Sequence, residues 1–197
     1  STLDRSSAAS DVYKRQAYRQ VIVVTESIFS MDGDTADLKE LVRLKQMYEN
    51  VLLYVDEAHA FGARGEQGLG CAEETGCIRE IDFLVGTFGK AAASTGAYIV
   101  CRRTIREYLV NRMRTLIFTT ALPPVNIAWT LFIVRRLGGF RERRIHLENI
   151  SNILREALKE KGYECPSASY IVPMIVGKSS ETILKAEELQ RHGFYAL

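Results

Sequence analysis

The chain has 197 residues, enough for one medium domain or for one domain and part of a second. Hydrophobic residues make up 47% and charged residues 25%, ordinary proportions for a globular protein, and a net charge of +2 gives no reason to expect a nucleic-acid partner. No apolar run approaches the ~18 residues that a membrane-crossing helix needs.

The four cysteines, Cys71, Cys77, Cys101 and Cys165, form no Cys-x-x-Cys pair and have no histidine at zinc-ligand spacing. They read as reduced cytosolic thiols, mostly buried, with no metal site. Arg102-Arg103 and the cluster from Arg141 to Arg144 read as solvated helix faces.

Residues 1–16 are polar, rich in Ser and Ala and without periodicity, and they lack the apolar core of a secretory signal. They are expected to be a non-native or disordered leader. Val21 to Thr25 is a short β-branched run, the signal of a buried strand. Asp34 is a candidate N-cap, with Asp37 in the first turn, for a helix carrying Leu38, Leu41, Val42, Leu44 and Met47. Asn50 can close that helix before a second strand at Val51 to Val55. Glycines 62, 65, 68 and 70 then mark a loop. Ile81 to Val85 reads as a third strand, Ala97 to Cys101 as a fourth, and Thr104 to Arg114 as a helix.

After Pro123-Pro124, helices are expected over Val125 to Leu137 and Phe140 to Lys161. Ile171 to Val176 reads as an edge strand because of Pro173. A last helix over Ser180 to His192 is followed by Gly193. His146 and His192 read as surface residues. Short apolar strands between helices imply an α/β fold with a largely parallel sheet. Residues 17–138 are expected to belong to a large domain and 139–197 to begin a smaller one. Phe194 to Leu197 reads as the approach to a further strand, so the sequence looks like a fragment of a longer protein.

Ligands of such sheets bind beyond the C-terminal ends of the strands, and Asp56, His59, Thr87 and Lys90 all fall there. Lys90 lies in Gly86-Thr87-Phe88-Gly89-Lys90, followed by small residues Ala91-Ala92-Ala93 that let a bulky group approach the backbone. A lysine in such a loop, with an Asp-x-x-His after a neighbouring strand, is what pyridoxal phosphate chemistry uses. Lys90 would form the Schiff base, Asp56 would keep the pyridine nitrogen protonated, and His59 would sit beside the ring. Thr87 can offer its hydroxyl to a phosphate. Glu26 and Ser30, in the loop after the first strand, are candidates to line the site. Thr119 and Thr120 could hold a phosphate or cap the following helix. Residues 56–59 spell Asp-Glu-Ala-His, but no G-x-x-x-x-G-K-[ST] loop precedes them, which argues against the NTPase reading unless a segment outside this sequence supplies the loop.

Ser30-Met31-Asp32-Gly33-Asp34, Asp56-Glu57-Ala58-His59, the glycines of 62–70, Gly86-Thr87-Phe88-Gly89-Lys90 and Thr119-Thr120-x-x-Pro123-Pro124 follow one another in a recognisable order. Together they resemble the α-oxoamine synthases, pyridoxal-phosphate enzymes of the aspartate-aminotransferase fold type I. The resemblance covers roughly residues 18–197. It implies a three-layer large domain and a cytoplasmic homodimer. It also implies that Lys90 carries the cofactor, that Asp56 pairs with the pyridine nitrogen, and that His59 and Ser30 lie by the phenolic oxygen. Thr87 would contact the phosphate, and Thr119 or Thr120 the phosphate of a partner subunit.

Within the family, Gly65-Glu66-Gln67-Gly68, Thr87-Phe88-Gly89-Lys90 and the Gly193 to Leu197 ending look most like the branch that serves biotin synthesis. That branch condenses L-alanine with a pimeloyl thioester, of coenzyme A or of a carrier protein, with loss of carbon dioxide. Sister branches, 2-amino-3-ketobutyrate coenzyme A ligase, 5-aminolevulinate synthase and serine palmitoyltransferase, are the alternative. A non-catalytic α/β fragment is the alternative of another class. Ala91-Ala92-Ala93 stands where many members carry glycines, a departure that keeps the small size.

Overall fold

The computed structural model describes residues 19–196. The expected leader, residues 1–16, therefore lies outside the described residues. Four strands form one sheet in the order β1 (Val21–Glu26), β2 (Val51–Asp56), β3 (Phe83–Thr87) and β4 (Ala97–Cys101). The first three run parallel, and β4 turns back antiparallel against β3. The helices are α1 (Leu38–Gln46), α2 (Cys71–Glu74), α3 (Arg103–Arg112), α4 (Arg114–Ile117), α5 (Pro124–Val134), α6 (Arg141–Glu160) and α7 (Ser179–Arg191). The α/β class with a mostly parallel sheet is the one expected.

β2 shows why the sheet holds. Val51, Leu53 and Val55 are buried while Leu52, Tyr54 and Asp56 between them are half-buried, the two-residue alternation of a pleated strand. Leu53 and Val55 meet Leu38 and Val42 of α1, Cys71 and Ala72 of α2, and Leu84 of β3 in the main core. Each fully buried Leu or Val contributes about 1.5–3 kcal/mol. The other side of β1 carries Ile22 and Val24 in the open, and α5 exposes Val125, Ile127, Leu131 and Phe132.

Several boundaries move, each for a local reason. The cap of α1 is Asp37, whose side chain accepts the Glu40 N–H at 3.0 Å, and not Asp34. Asp34 instead receives the Phe29 N–H on its carbonyl, closing the turn that follows β1. α1 ends at Gln46, capped at Met47, so Asn50 does not close it; its carbonyl pairs with Val21 N–H. β3 starts at Phe83 because Asp82 interrupts the ladder: its Oδ2 accepts the Leu53 N–H at 2.8 Å. Arg103 to Ile117 is two short helices, α3 and α4, broken at Met113.

Two readings are overturned. Residues 171–176 form no strand. Pro173 has no N–H to give a ladder, and the Ile171 N–H is taken by Ser169 Oγ at 3.2 Å. Arg144 is not on a solvated face: it is 8% exposed and donates to the carbonyls of Leu137 and Glu66. The other four arginines of those clusters fare differently: Arg102 pairs with buried Asp82 at 3.3 Å, while Arg103, Arg141 and Arg143 are exposed.

Candidate active site

The parallel register brings the ends of three strands level. Glu26 pairs with Asp56, and Asp56 with Val85, so the loops after β1, β2 and β3 leave the sheet together. Asp56 uses Oδ1 to accept the Ala58 N–H at 2.8 Å. This Asx-type turn swings the chain off the strand and carries His59 over the sheet end. The Ala60 and Phe61 N–H groups close the turn on the Glu57 carbonyl.

Lys90 arrives from the other side. β3 and β4 form a hairpin whose tip carries it, and Nζ of Lys90 lies 2.6 Å from Nε2 of His59. Burial, and then the Lys90 charge, hold His59 below its ordinary pKa, while Glu26 and Asp56 pull the other way. The imidazole is thus favoured neutral and can accept from the ammonium. Glu26, Asp56, His59 and Lys90 form one electrostatic cluster.

The lysine tip is braced from both ends. Thr87 Oγ1 donates to the Gly96 carbonyl at 3.1 Å and accepts the Gly89 N–H at 3.1 Å. Trp129 Nε1 donates to the carbonyls of Ala92 and Ala93, both at 3.1 Å, and Ser94 Oγ meets Thr130 Oγ1 at 2.8 Å. Helix α5 therefore fixes the far side of the tip. Ala93 takes φ 46°, a left-handed conformation that a glycine would adopt with less strain.

Beneath the site lies Glu57, fully buried, which reading the sequence for chemistry had passed over. Its carboxylate accepts the Ser27 hydroxyl at 2.5 Å, the Cys71 N–H at 3.1 Å and the Ala72 N–H at 2.6 Å. Desolvation raises its pKa, and these three bonds oppose the rise. Gly70 is glycine for this reason: at φ 109° a Cβ there would lie 2.5 Å from the carboxylate. A signal was present, because the alternation of Val51, Leu53 and Val55 places Glu57 next on the buried face. Trp129 and Tyr170 carried no comparable signal.

The remaining candidates are dispersed. Ser30 is exposed in the turn closed by Gly33 N–H on the Phe29 carbonyl. Thr119 and Thr120 are exposed between α4 and α5 and are not hydrogen-bonded to the Lys90–His59 pair. A cleft of about 380 Å³ opens elsewhere, between the glycine loop and α6, lined by Arg64, Glu66, Arg141, Arg144 and Arg155 among others. It lacks Lys90, His59 and Asp56, and the lysine cluster rather than this cleft holds the convergent reactive groups. His146 and His192 are exposed, as expected.

Residues 5–196 match the family model described as aminotransferase class I and II. The chain belongs to that family. Among curated relatives, a Glaesserella parasuis protein provisionally named 8-amino-7-oxononanoate synthase is 60% identical, over 92% of this chain and 48% of its own length. A protein of the same provisional name from Pasteurella multocida is 55% identical, over 92% of this chain and 47% of its own. The chain thus spans about half the length of the curated relatives it matches. Among solved structures, Sphingomonas wittichii serine palmitoyltransferase aligns with TM-score 0.82 at 31% identity, covering 89% of this chain and 45% of that one. An 8-amino-7-oxononanoate synthase from Francisella tularensis aligns with TM-score 0.77 at 25% identity, over 94% and 55% respectively. A further neighbour, a serine palmitoyltransferase from S. paucimobilis, is described with a bound pyridoxal phosphate–myriocin adduct.

Proposed function

We propose that the chain carries the cofactor-holding part of a pyridoxal 5'-phosphate-dependent acyltransferase, an α-oxoamine synthase. The observation that carries this reading is the 2.6 Å approach of Lys90 Nζ to His59 Nε2 beside Asp56. The donor set fits the cofactor. A primary amine on a hairpin tip can hold an aldehyde, a carboxylate at a strand end can face a pyridinium, and Gly89 and Ala91 leave room around them. Lys90 would hold the cofactor, Asp56 would pair with its ring nitrogen, and His59 and Ser30 would lie near its phenolic oxygen. Thr87, and Thr119 or Thr120 of a second copy, would serve its phosphate, with Glu26 toward the substrate.

When bound, the cofactor supplies an electron sink for charge at the substrate α-carbon. The chain's own groups do the rest. A neutral His59 accepts from the Lys90 ammonium and so holds the amine pointed at the site. Lys90, as a free amine, would be the base placed to move the α-proton. Asp56 is held at the strand end by the Ala58 N–H at 2.8 Å.

The finer reading is 8-amino-7-oxononanoate synthesis: L-alanine condensed with pimeloyl-coenzyme A or pimeloyl-carrier protein, with decarboxylation, in biotin synthesis. The curated relatives' names support it. The serine palmitoyltransferase likeness favours a sister α-oxoamine synthase as the second reading. In this reading the protein is a cytoplasmic homodimer, with 17–138 in the large domain and 139–197 opening the small one. The exposed apolar residues of β1 and α5 support a covering partner or further chain, and four unpaired thiols suit a reducing compartment. No helix among the described residues is long and apolar enough to cross a membrane.

The test is to incubate the chain with pyridoxal 5'-phosphate, reduce with borohydride and map the modified peptide. Label on Lys90 that vanishes in Lys90→Ala is the expected result. Label scattered over several lysines, or none, would leave a non-catalytic fragment. On the full-length parent, coenzyme A release with alanine and pimeloyl-coenzyme A, against glycine with acetyl-coenzyme A, separates the branches.

A further inference from the structure

After α6 the chain does not join the sheet but runs back over the site loops. Ser167 and Ser169, 6% and 2% exposed, knit this strap to itself: Ser169 N–H donates to Ser167 Oγ at 3.0 Å. Arg155 of α6 donates to the Ser169 carbonyl and holds the strap to the helix. Ser167 Oγ also donates to the Gly33 carbonyl at 3.2 Å, in the turn that presents Ser30. The contact is close enough that a Cβ at Gly33 would lie 2.4 Å from the Ile171 carbonyl oxygen.

Tyr170 is the strap's link to His59. Its hydroxyl donates to the His59 carbonyl at 2.5 Å, and its ring packs against the main core. Burial raises the pKa of this phenol, so it remains a donor at neutral pH. The neighbouring turn carbonyls of Glu57 and Ala60 are engaged by N–H groups of the same turn. The carbonyl of His59, by contrast, is satisfied from 111 residues away.

We propose that Tyr170 is a positioning residue for His59: its hydroxyl fixes the backbone from which the imidazole reaches Lys90. A core ring with no such role would be served equally well by phenylalanine. The consequence for cofactor capture at Lys90 rests on the function proposed above, whereas the effect on His59 does not.

The chain has three histidines, so ring-labelled histidine gives a simple spectrum, with His59 assigned from His59→Gln. In Tyr170→Phe, which keeps the ring and its packing, the His59 ring resonances are expected to move while those of His146 and His192 stay. Borohydride-fixed pyridoxal phosphate on Lys90 is expected to fall about fivefold, the loss of one hydrogen bond. Unmoved His59 resonances would overturn the proposal, as would equal movement of all three histidines, which signals general loosening. Should the variant not fold, a through-space contact between the Tyr170 ring and the His59 backbone in the unaltered chain decides the matter, and its absence overturns the role. If the unaltered chain takes no cofactor on Lys90, the proposed function fails while the histidine spectrum still tests Tyr170.

Discussion

Lys90 Nζ and His59 Nε2 stand 2.6 Å apart, joining the tip of the β3–β4 hairpin to the turn after β2. Burial and the Lys90 charge both disfavour protonating His59, so its folded pKa lies below the ordinary 6.5. The unfolded chain then binds more protons than the folded one between that lowered value and 6.5. The stability due to neutral His59 is complete above 6.5 and is lost as pH falls through the folded pKa. Titration of the His59 ring by NMR should show a midpoint below 6.5, and Lys90→Ala should raise it. A midpoint unmoved by Lys90→Ala would show that the two side chains do not interact in solution.

The single tryptophan reports on the lysine tip. Trp129 holds the Ala92 and Ala93 carbonyls, two and three residues past Lys90. Adding pyridoxal phosphate should quench its fluorescence saturably, and Lys90→Ala should abolish the saturable part. A quench that persists in Lys90→Ala would place the cofactor elsewhere.

Glu57 anchors three donors, the Ser27 hydroxyl just after β1 and the Cys71 and Ala72 N–H groups at the start of α2. Glu57→Ala would strand the Ser27 hydroxyl and two N–H groups in the core and is expected to cost about 3 kcal/mol or more in urea unfolding. Glu57→Gln keeps the shape but turns an acceptor into a donor facing donors, and should cost about 1–3 kcal/mol. If Glu57→Ala unfolds at the same urea concentration as the parent, the carboxylate is not a structural anchor.

Asp82 is 1% exposed and faces Lys45 at 2.7 Å and Arg102 at 3.3 Å, the latter an ion pair without hydrogen-bond alignment. Because Arg102 is largely in solvent, Lys45 and the Leu53 N–H carry most of the effect. Asp82→Ala removes the acceptor for Leu53 and is expected to cost about 3 kcal/mol, whereas Arg102→Ala should cost under about 1 kcal/mol. Equal losses in the two variants would contradict this division.

Cys71, in the core at the start of α2, has its thiol pushed up to about 12, mainly by burial and then by Glu57. Thiolate-directed reagents should therefore modify the half-exposed Cys101 first and reach Cys71 only on unfolding. Modification of Cys71 in the native chain at a matching rate would show that the α2 end opens.

Local sequence determined the elements and the chemical alphabet of the site. Short apolar runs marked β1, β2 and β4 because a strand's signal lies within a few adjacent residues. The glycine-flanked Lys90 and the Asp56–His59 pair were legible for the same reason. What depends on partners distant in the chain was not. Asp82 delays β3 by capping Leu53, and Pro173, with no ladder to join, leaves 171–176 as a strap rather than a strand. Arg144 looked like a surface charge until the Leu137 and Glu66 carbonyls came to meet it. Likewise, only the folded chain brings Tyr170 to His59 and Trp129 to the lysine tip, since hydrogen bonds between remote residues leave no periodicity in the sequence.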